Sequence, residues 1–257
     1  MSPSLLQAVA EVAALAGAEA AKHFRKPLAV EAKADGSPVT RADRDAERLA
    51  RAWIEERFPE DGILGEEFGD TRAGARRRWL VDPVDGTRAF VKGVPLWGTL
   101  VAIAEGERVL AGAAEFPALG ERAAAAFGEG CWWNGVRCEV SRVASVAAAT
   151  LLATDAAFQR TPDRGERWRA LAGRADAART WGDCYGYLLV ATGRAELMTD
   201  GRLSPWDAAA PSILVEEAGG VFTDWHGRPT AFGDGALATN AALAAEIRRE
   251  LGVPEAC

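Results

Sequence analysis

A mixed fold, α+β in its first half and α/β in its second, is what this sequence predicts. Three observations carry that expectation: two helical patterns open the chain, short apolar runs broken by Gly, Asp and Pro follow, and strands then alternate with helices from about Val146. The halves are taken as residues 1–145 and 146–257. No linker rich in Pro, Ser and Gly parts them and no internal repeat is visible, so they are expected to share an interface.

From Leu5 to Phe24 apolar residues recur at helical spacing, opened by Ser2 and Pro3 and closed before Pro27. Ala34-Asp35-Gly36-Ser37-Pro38 reads as a polar turn, and a second helix starts near Thr40 or Ala42 and runs to Phe58, where Pro59 and Gly62 stop it. Strands are expected at Ile63-Leu64, Trp79-Leu80-Val81, Leu96 to Ile103, Val109 to Phe116 and Ala123 to Phe127. In the second half they are expected at Thr150 to Ala153, Ala178 to Trp181 and Ala195 to Met198, with helices at Arg164 to Leu171, from Asp183, and from Trp206 to Ala218. Ligands of such layered folds sit where strand ends meet helix N-termini, so motifs at those junctions matter most.

Composition narrows the function. The 257 residues are 49% hydrophobic and 26% charged, as in a folded globular protein. A net charge of -7 and a pI near 5.1 argue against nucleic-acid binding, which needs clustered positive charge. Arg76, Arg77 and Arg78 form the one dense basic run and are expected in a solvated loop before a strand. No apolar stretch of membrane-spanning length and no leader pattern is seen, so a cytoplasmic protein is expected. Cys131, Cys138, Cys184 and Cys257 are scattered, which suits reduced thiols, and with two histidines zinc has few ligands. Trp132, Trp133 and Trp225 read as core or interface residues.

The chemistry concentrates in Trp79-Leu80-Val81-Asp82-Pro83-Val84-Asp85-Gly86-Thr87, an apolar strand running into two carboxylates and a glycine turn. Buried ionised carboxylates cost several kcal/mol each unless paired or bound to metal, so Asp82 and Asp85 ask for a cation. The Val84 carbonyl lies between them. Gly65-Glu66-Glu67 supplies a second acidic group and Asp207, after Trp206, a third. Oxygen ligands of this kind suit Mg²⁺ with a substrate phosphate. Gly86 and Thr87 open a short helix through Phe90, whose N–H groups would face a phosphate. Taken singly, Asp207 suits a helix cap, Asp85-Gly86 a turn and Glu66-Glu67 a solvated loop; together they favour metal binding.

These segments, with Val39-Thr40-Arg41-Ala42-Asp43 before them and Glu217-Ala218-Gly219-Gly220 after, resemble the signatures of the inositol monophosphatase family in order and approximate spacing across nearly the whole chain. The resemblance implies an αβαβα layered sandwich. It assigns Glu66, Asp82, the Val84 carbonyl, Asp85 and Asp207 to two or three Mg²⁺ ions, and Asp43 and Thr87, with Glu66, to activating and orienting water. It assigns Gly86 and Thr87 to the phosphate and implies in-line attack by water without a covalent phosphoenzyme. A homodimer acting on a small phosphorylated metabolite is implied too. Arg179-Thr180-Trp181-Gly182-Asp183-Cys184-Tyr185-Gly186-Tyr187, Leu96-Trp97-Gly98-Thr99-Leu100 and Leu203-Ser204-Pro205-Trp206-Asp207 lean toward the histidinol-phosphatase version of the family. Gly182, Asp183 and Asp200 are then substrate-facing: acids suit the ammonium and imidazole of histidinol phosphate, while inositol is neutral. Asp183 also suits a helix cap and Asp200 a turn beside Gly201, and Asn240 is a further candidate on the alcohol side.

Other readings are weaker. Asp85-Gly86-Thr87 after a strand superficially suits a haloacid-dehalogenase phosphatase, but Asp82 and Asp85 are three apart with Pro83 between them. There is no G-x-x-x-x-G-K-[ST] or G-x-S-x-G. A protein that binds a phosphorylated metabolite without turning it over is the non-enzymatic alternative.

Overall fold

The computed structural model describes residues 3–27, 29–32, 38–158 and 161–254. Ser2, residues 34–37 of the expected polar turn and Cys257 lie outside the described residues.

Helix α1 spans Leu5–Ala21 and starts at Ser4, whose hydroxyl accepts from Gln7 N–H while Gln7 returns a bond to Ser4 N–H. It ends three residues before the expected Phe24, whose ring instead packs on Phe90 and Trp97 at 5.4 and 5.5 Å. A small hairpin of β1 (Val30–Ala32) and β2 (Pro38–Thr40) leads into α2 (Arg41–Arg57). Then come β3 (Gly62–Gly65), β4 (Gly69–Thr71), β5 (Arg77–Asp85), α3 (Thr87–Val91), β6 (Gly98–Glu105), β7 (Arg108–Phe116), β8 (Glu121–Ala126), β9 (Gly130–Trp133) and β10 (Val136–Cys138). A 3₁₀ turn at Val146–Ala148 precedes β11 (Thr150–Ala153), α4 (Pro162–Ala172), β12 (Ala177–Arg179), α5 (Asp183–Ala191), β13 (Leu197–Asp200), α6 (Pro205–Glu217), β14 (Val221–Thr223), β15 (Ala236–Thr239) and α7 (Ala244–Leu251).

The strands from β3 to β10 form an eight-stranded sheet in the order β10-β9-β8-β7-β6-β5-β3-β4, antiparallel except between β3 and β5. A five-stranded sheet, β12-β11-β13-β15-β14, is parallel across β12, β11 and β13 and antiparallel beyond. Strand side chains alternate between faces, and that alternation sorts the core into layers. Trp79, Val81, Val101 and Ile103 point to α1 and α2, whereas Leu80, Leu100, Ala102 and Phe116 point to α5 and α6. In the smaller sheet Leu152, Met198 and Ala238 meet that same middle layer, while Leu151, Leu197 and Leu237 face α4 and α7. The result is helix, sheet, helix, sheet, helix: the αβαβα sandwich that the resemblance implies.

Close approach explains the alanines of β7 and β8, a residue type otherwise depleted in strands. At Gly112 a Cβ would stand 2.6 Å from Ile213 Cγ2, so α6 lies almost on the backbone of β7.

Strand β5 is longer than expected and takes in both acids; its pairing with β6 slips between Asp82 and Asp85, a bulge of the kind that re-aims side chains at sites. Arg77 and Arg78, expected in a loop, lie in β5, with ion pairs to Asp61 at 2.8 Å and Asp70 at 2.5 Å, and Arg76 pairs with Glu105 at 3.3 Å. β9 and β10 turn through Asn134-Gly135, both at positive φ (48° and 80°), the dipeptide favoured in two-residue hairpins.

Candidate metal and phosphate site

Four elements deliver the acids. β5 carries Asp82 and Asp85, the turn after β3 carries Glu66, and Asp43 and Asp207 each occupy the third position of a helix. Both helical aspartates complete a capping box. Asp43 Oδ2 accepts from Thr40 N–H at 2.8 Å and from its hydroxyl at 2.6 Å, and Asp207 Oδ2 accepts from Ser204 N–H at 2.8 Å. Each has one further oxygen, and Asp43 Oδ1 is buried without a hydrogen-bond partner among the described residues. For Asp207 the cap and the site are therefore compatible, since one carboxylate does both.

Asp82, Asp85 and Asp207 each offer an oxygen, and these lie within 4.8 Å of one another. Every one of the three accepts a backbone N–H: Val84 to Asp82 at 3.0 Å, Cys184 to Asp85 at 2.5 Å and Ser204 to Asp207. A hydrogen bond to a charged group contributes about 1.5–3 kcal/mol, less than the several kcal/mol it costs to bury each ion. Burial wins accordingly. It pushes Asp82 well up, with the charges of Glu66, Asp85 and Asp207 adding to it. Asp85 is raised to about 7 by burial and then by Asp207, against the Cys184 bonds. Asp207 is likewise raised to about 7, chiefly by burial. Glu66 acts on Asp43, Asp82 and Asp207, so its carboxylate faces this group. Burial also raises Asp43. Oxygen donors this crowded, this buried and this reluctant to ionise fit a hard divalent cation.

The turn expected to face a phosphate adjoins them. Gly86, at φ 79°, begins α3, and a Cβ there would stand 2.9 Å from the Leu96 carbonyl. The Thr87 hydroxyl donates to the buried Val84 carbonyl at 3.0 Å, which leaves that carbonyl a second lone pair.

On the other side Gly182 and Asp183 open α5. Asp183 holds a left-handed φ of 51°, and its N–H donates to the Thr154 hydroxyl at 2.8 Å. Its carboxyl lies over Gly86 and is raised to about 8 by burial and by the charges of Asp85 and Asp200, with Arg88 opposing. Asp200, at the end of β13, is 6% exposed; it accepts from the Tyr187 hydroxyl at 2.8 Å, and its backbone carbonyl accepts from the Trp225 indole at 2.7 Å. It is raised only to about 6, because Thr154 and Tyr187 counter the burial. Asp200, Thr154, Asp155, Phe158, Arg164 and Asp234 are among the residues lining a cavity of about 550 Å³.

Sequence reasoning overlooks several supports of this arrangement. Tyr187 and Thr154 hold Asp200 and Asp183, and Glu47 on α2 takes the N–H groups of Glu67 and Phe68 at 2.7 and 3.2 Å. The visible trace of the last is a Glu47-Arg51 pair on the apolar face of an amphipathic helix. Asn240 does not join the site: its side chain is taken up by Ser141, Val143 and Leu243. Trp225 is buried, as expected of a core aromatic, while Trp132 is 37% exposed.

Comparison with known proteins agrees with the geometry. A histidinol-phosphatase of Chlorobaculum parvum is 42% identical over 254 residues, covering 98% of both chains, and one of Streptomyces coelicolor is 37% identical over 229 residues, covering 86% of both. The solved structure of an inositol monophosphatase from Zymomonas mobilis superposes with a TM-score of 0.85 at 32% identity, covering 96% of this chain and 97% of that one. The sequence model of the inositol monophosphatase family matches residues 2–252, and with this acidic centre in that sandwich the chain belongs to the inositol monophosphatase family, a family of metal-dependent phosphatases.

Proposed function

We propose that this phosphatase hydrolyses L-histidinol phosphate to L-histidinol and phosphate with Mg²⁺, in the cytoplasm, as a homodimer serving histidine biosynthesis. The observation that carries the reading is the placing of a carboxylate cluster on one side of Gly86-Thr87 and of Asp183 and Asp200 on the other. Relatives named histidinol-phosphatases support the substrate. Among the described residues no helix is long and apolar enough to cross a membrane.

Glu66, Asp82, the Val84 carbonyl, Asp85 and Asp207 would hold two or three Mg²⁺ ions. Bound there, the ions supply neutralisation of the phosphate charge and acidification of water. The remaining work belongs to the chain. Asp43 takes the proton of the attacking water at Oδ1, which has no partner among the described residues, and the Thr87 oxygen accepts from that water while its own hydroxyl proton points at the Val84 carbonyl. The N–H groups of Gly86 and Thr87 receive phosphate oxygens as charge builds on them. Asp183 and Asp200 face the leaving alcohol, where an ammonium and an imidazole find acidic partners and a neutral polyol finds acceptors only. The half up to residue 145 thus carries most metal ligands, and the half from 146 carries Asp207 and the alcohol-side acids.

Measurement of kcat/KM for histidinol phosphate and myo-inositol 1-phosphate side by side, with Mg²⁺ and then with EDTA, tests the reading. A large preference for histidinol phosphate, lost in EDTA, is expected. The likeness to the Zymomonas enzyme favours inositol phosphate as the second substrate reading, and the opposite preference would establish it. Phosphate bound covalently to Asp82 or Asp85 during turnover would overturn the attack by water.

A further inference from the structure

Beside the acidic cluster lies a buried charge pair that the chemistry just described does not use. Glu47 is 0% exposed, and its partner Arg51, one helical turn along α2, is 8% exposed. The guanidinium Nε meets Glu47 Oε1 at 2.7 Å. Neither charge stops at the other. Glu47 Oε2 accepts from Glu67 N–H at 2.7 Å and Oε1 from Phe68 N–H at 3.2 Å, while Arg51 Nη2 donates to the Gly69 carbonyl at 2.5 Å and Nη1 to the Thr71 hydroxyl at 3.4 Å. Gly65 and Gly69 face each other across the β3–β4 hairpin, so the pair grips its turn from within at three consecutive residues. Contact is so close that a Cβ on Gly65 would stand 2.0 Å from Glu47 Oε1, which only glycine avoids.

Enclosed ion pairs are poor stabilisers, because desolvation offsets most of their attraction and apolar side chains of similar size do as well. A pair retained there is better explained by what it fixes. The residue immediately before the gripped amides is Glu66, whose carboxylate acts on Asp43, Asp82 and Asp207. Glu66 N–H itself is tied to the Val81 carbonyl of β5 at 3.2 Å, so the turn is pinned to the cluster's own strand on one side and to α2 on the other.

We propose that Glu47 and Arg51 are positioning residues for the metal centre: together they set the backbone of the β3–β4 turn so that the Glu66 carboxylate stands at the distance a divalent ion requires. The inference rests on the reading of Glu66 as a metal ligand. It makes the back of α2 part of the site, although neither side chain reaches substrate.

The test separates positioning from folding. In Glu47→Met/Arg51→Met both charges are replaced by apolar chains of comparable length, so the protein stays folded while the turn loses its grip. Calorimetric titration of the metal-free proteins with Mn²⁺ and with Mg²⁺ should show affinity weaker by about tenfold, as is usual when an outer partner of a metal ligand is removed, with a thermal midpoint close to the parent's. Arg51→Lys, which keeps the charge pair and the Glu47 bonds to Glu67 and Phe68 but gives up the fork to Gly69 and Thr71, should lie between the two at about threefold, and it carries the test alone if the double variant does not fold. Parent-like metal affinity in either variant overturns the positioning role. A parent protein that binds neither ion would instead sink the metal-ligand reading of Glu66, and the inference with it, a result told apart by the parent titration alone.

Discussion

The acid cluster and the cavity beside it are both built on buried aspartates, yet they hold them in different ways. In the cluster each carboxylate receives one backbone N–H, Asp85 the Cys184 thiol as well, and each otherwise faces other carboxylates. In the cavity Asp200 receives the Tyr187 hydroxyl and is further held by Thr154, and it is raised only to about 6 where Asp85 and Asp207 reach about 7. Backbone donors are fixed by the fold and leave charge unbalanced, which suits a site completed by an ion. At Asp200 the hydroxyls of Tyr187 and Thr154 add to a Thr154 backbone N–H and balance more of the charge, and hydroxyls can be exchanged singly, which suits a surface that chooses among alcohols. Asp183 stands between the two: it is raised to about 8 by burial and by acids from both groups.

The hardest test of that contrast removes cluster charges. Asp85→Asn and Asp207→Asn should each lower kcat by more than about a thousandfold at saturating Mg²⁺ with the circular dichroism unchanged; Asn keeps a cap oxygen for Ser204 N–H but gives up the charge. Near-normal turnover would break the comparison. Next comes pH. Folded Asp85 and Asp207 titrate near 7 against an ordinary value of 3.8. Across that window the metal-free native state binds more protons than the unfolded chain, so its stability falls as pH rises, and the loss is complete above about 7. In EDTA the melting temperature should drop by roughly 5 °C between pH 5 and pH 8, and Mg²⁺ should restore it at pH 8 and do little at pH 5. A midpoint independent of pH would mean the cluster is balanced without an ion.

Cavity substitutions should act more gently and selectively. Asp183→Asn should lower kcat/KM for histidinol phosphate about tenfold more than for a neutral phosphomonoester, with the Mg²⁺ requirement unmoved; equal losses on both would assign it to the cluster instead. The smallest effect is expected of Tyr187→Phe. Losing one hydrogen bond to Asp200 costs about 1 kcal/mol, read as a several-fold rise in KM for the cationic substrate with kcat retained.

The cluster was legible in the sequence because its geometry is mostly local. Asp82 to Thr87 are contiguous, the strand rule places them at a junction, and a cap motif marks Asp207. The layered order followed from the family resemblance, and the period-two pattern of β5 and β6 agrees with it. What stayed hidden depends on contacts distant in sequence. Tyr187 meets Asp200 across 13 residues, Glu47 meets Glu67 across 20 and Cys184 meets Asp85 across 99, and no spacing rule reaches so far. β14 and β15 follow α6, outside the alternation of strands and helices that marked the equally short β11, β12 and β13, and α7 carries its apolar residues over eight positions only. Strand β5 outran its expected end because carboxylates are poor strand formers; the pairing with β6 through the bulge overrides that preference.

The shared cap carboxylates of α2 and α6 have a kinetic consequence. Asp43 and Asp207 are each fastened by one oxygen to the first turn of a helix, so their aim is set when those helices form, before any ion arrives. Under the proposed ligand assignment an incoming cation therefore meets an Asp207 carboxylate already aimed by its cap. The slow event in its capture should then be the shedding of water from its own hydration shell, and stopped-flow loading should follow the order in which ions exchange that water, manganese ahead of magnesium.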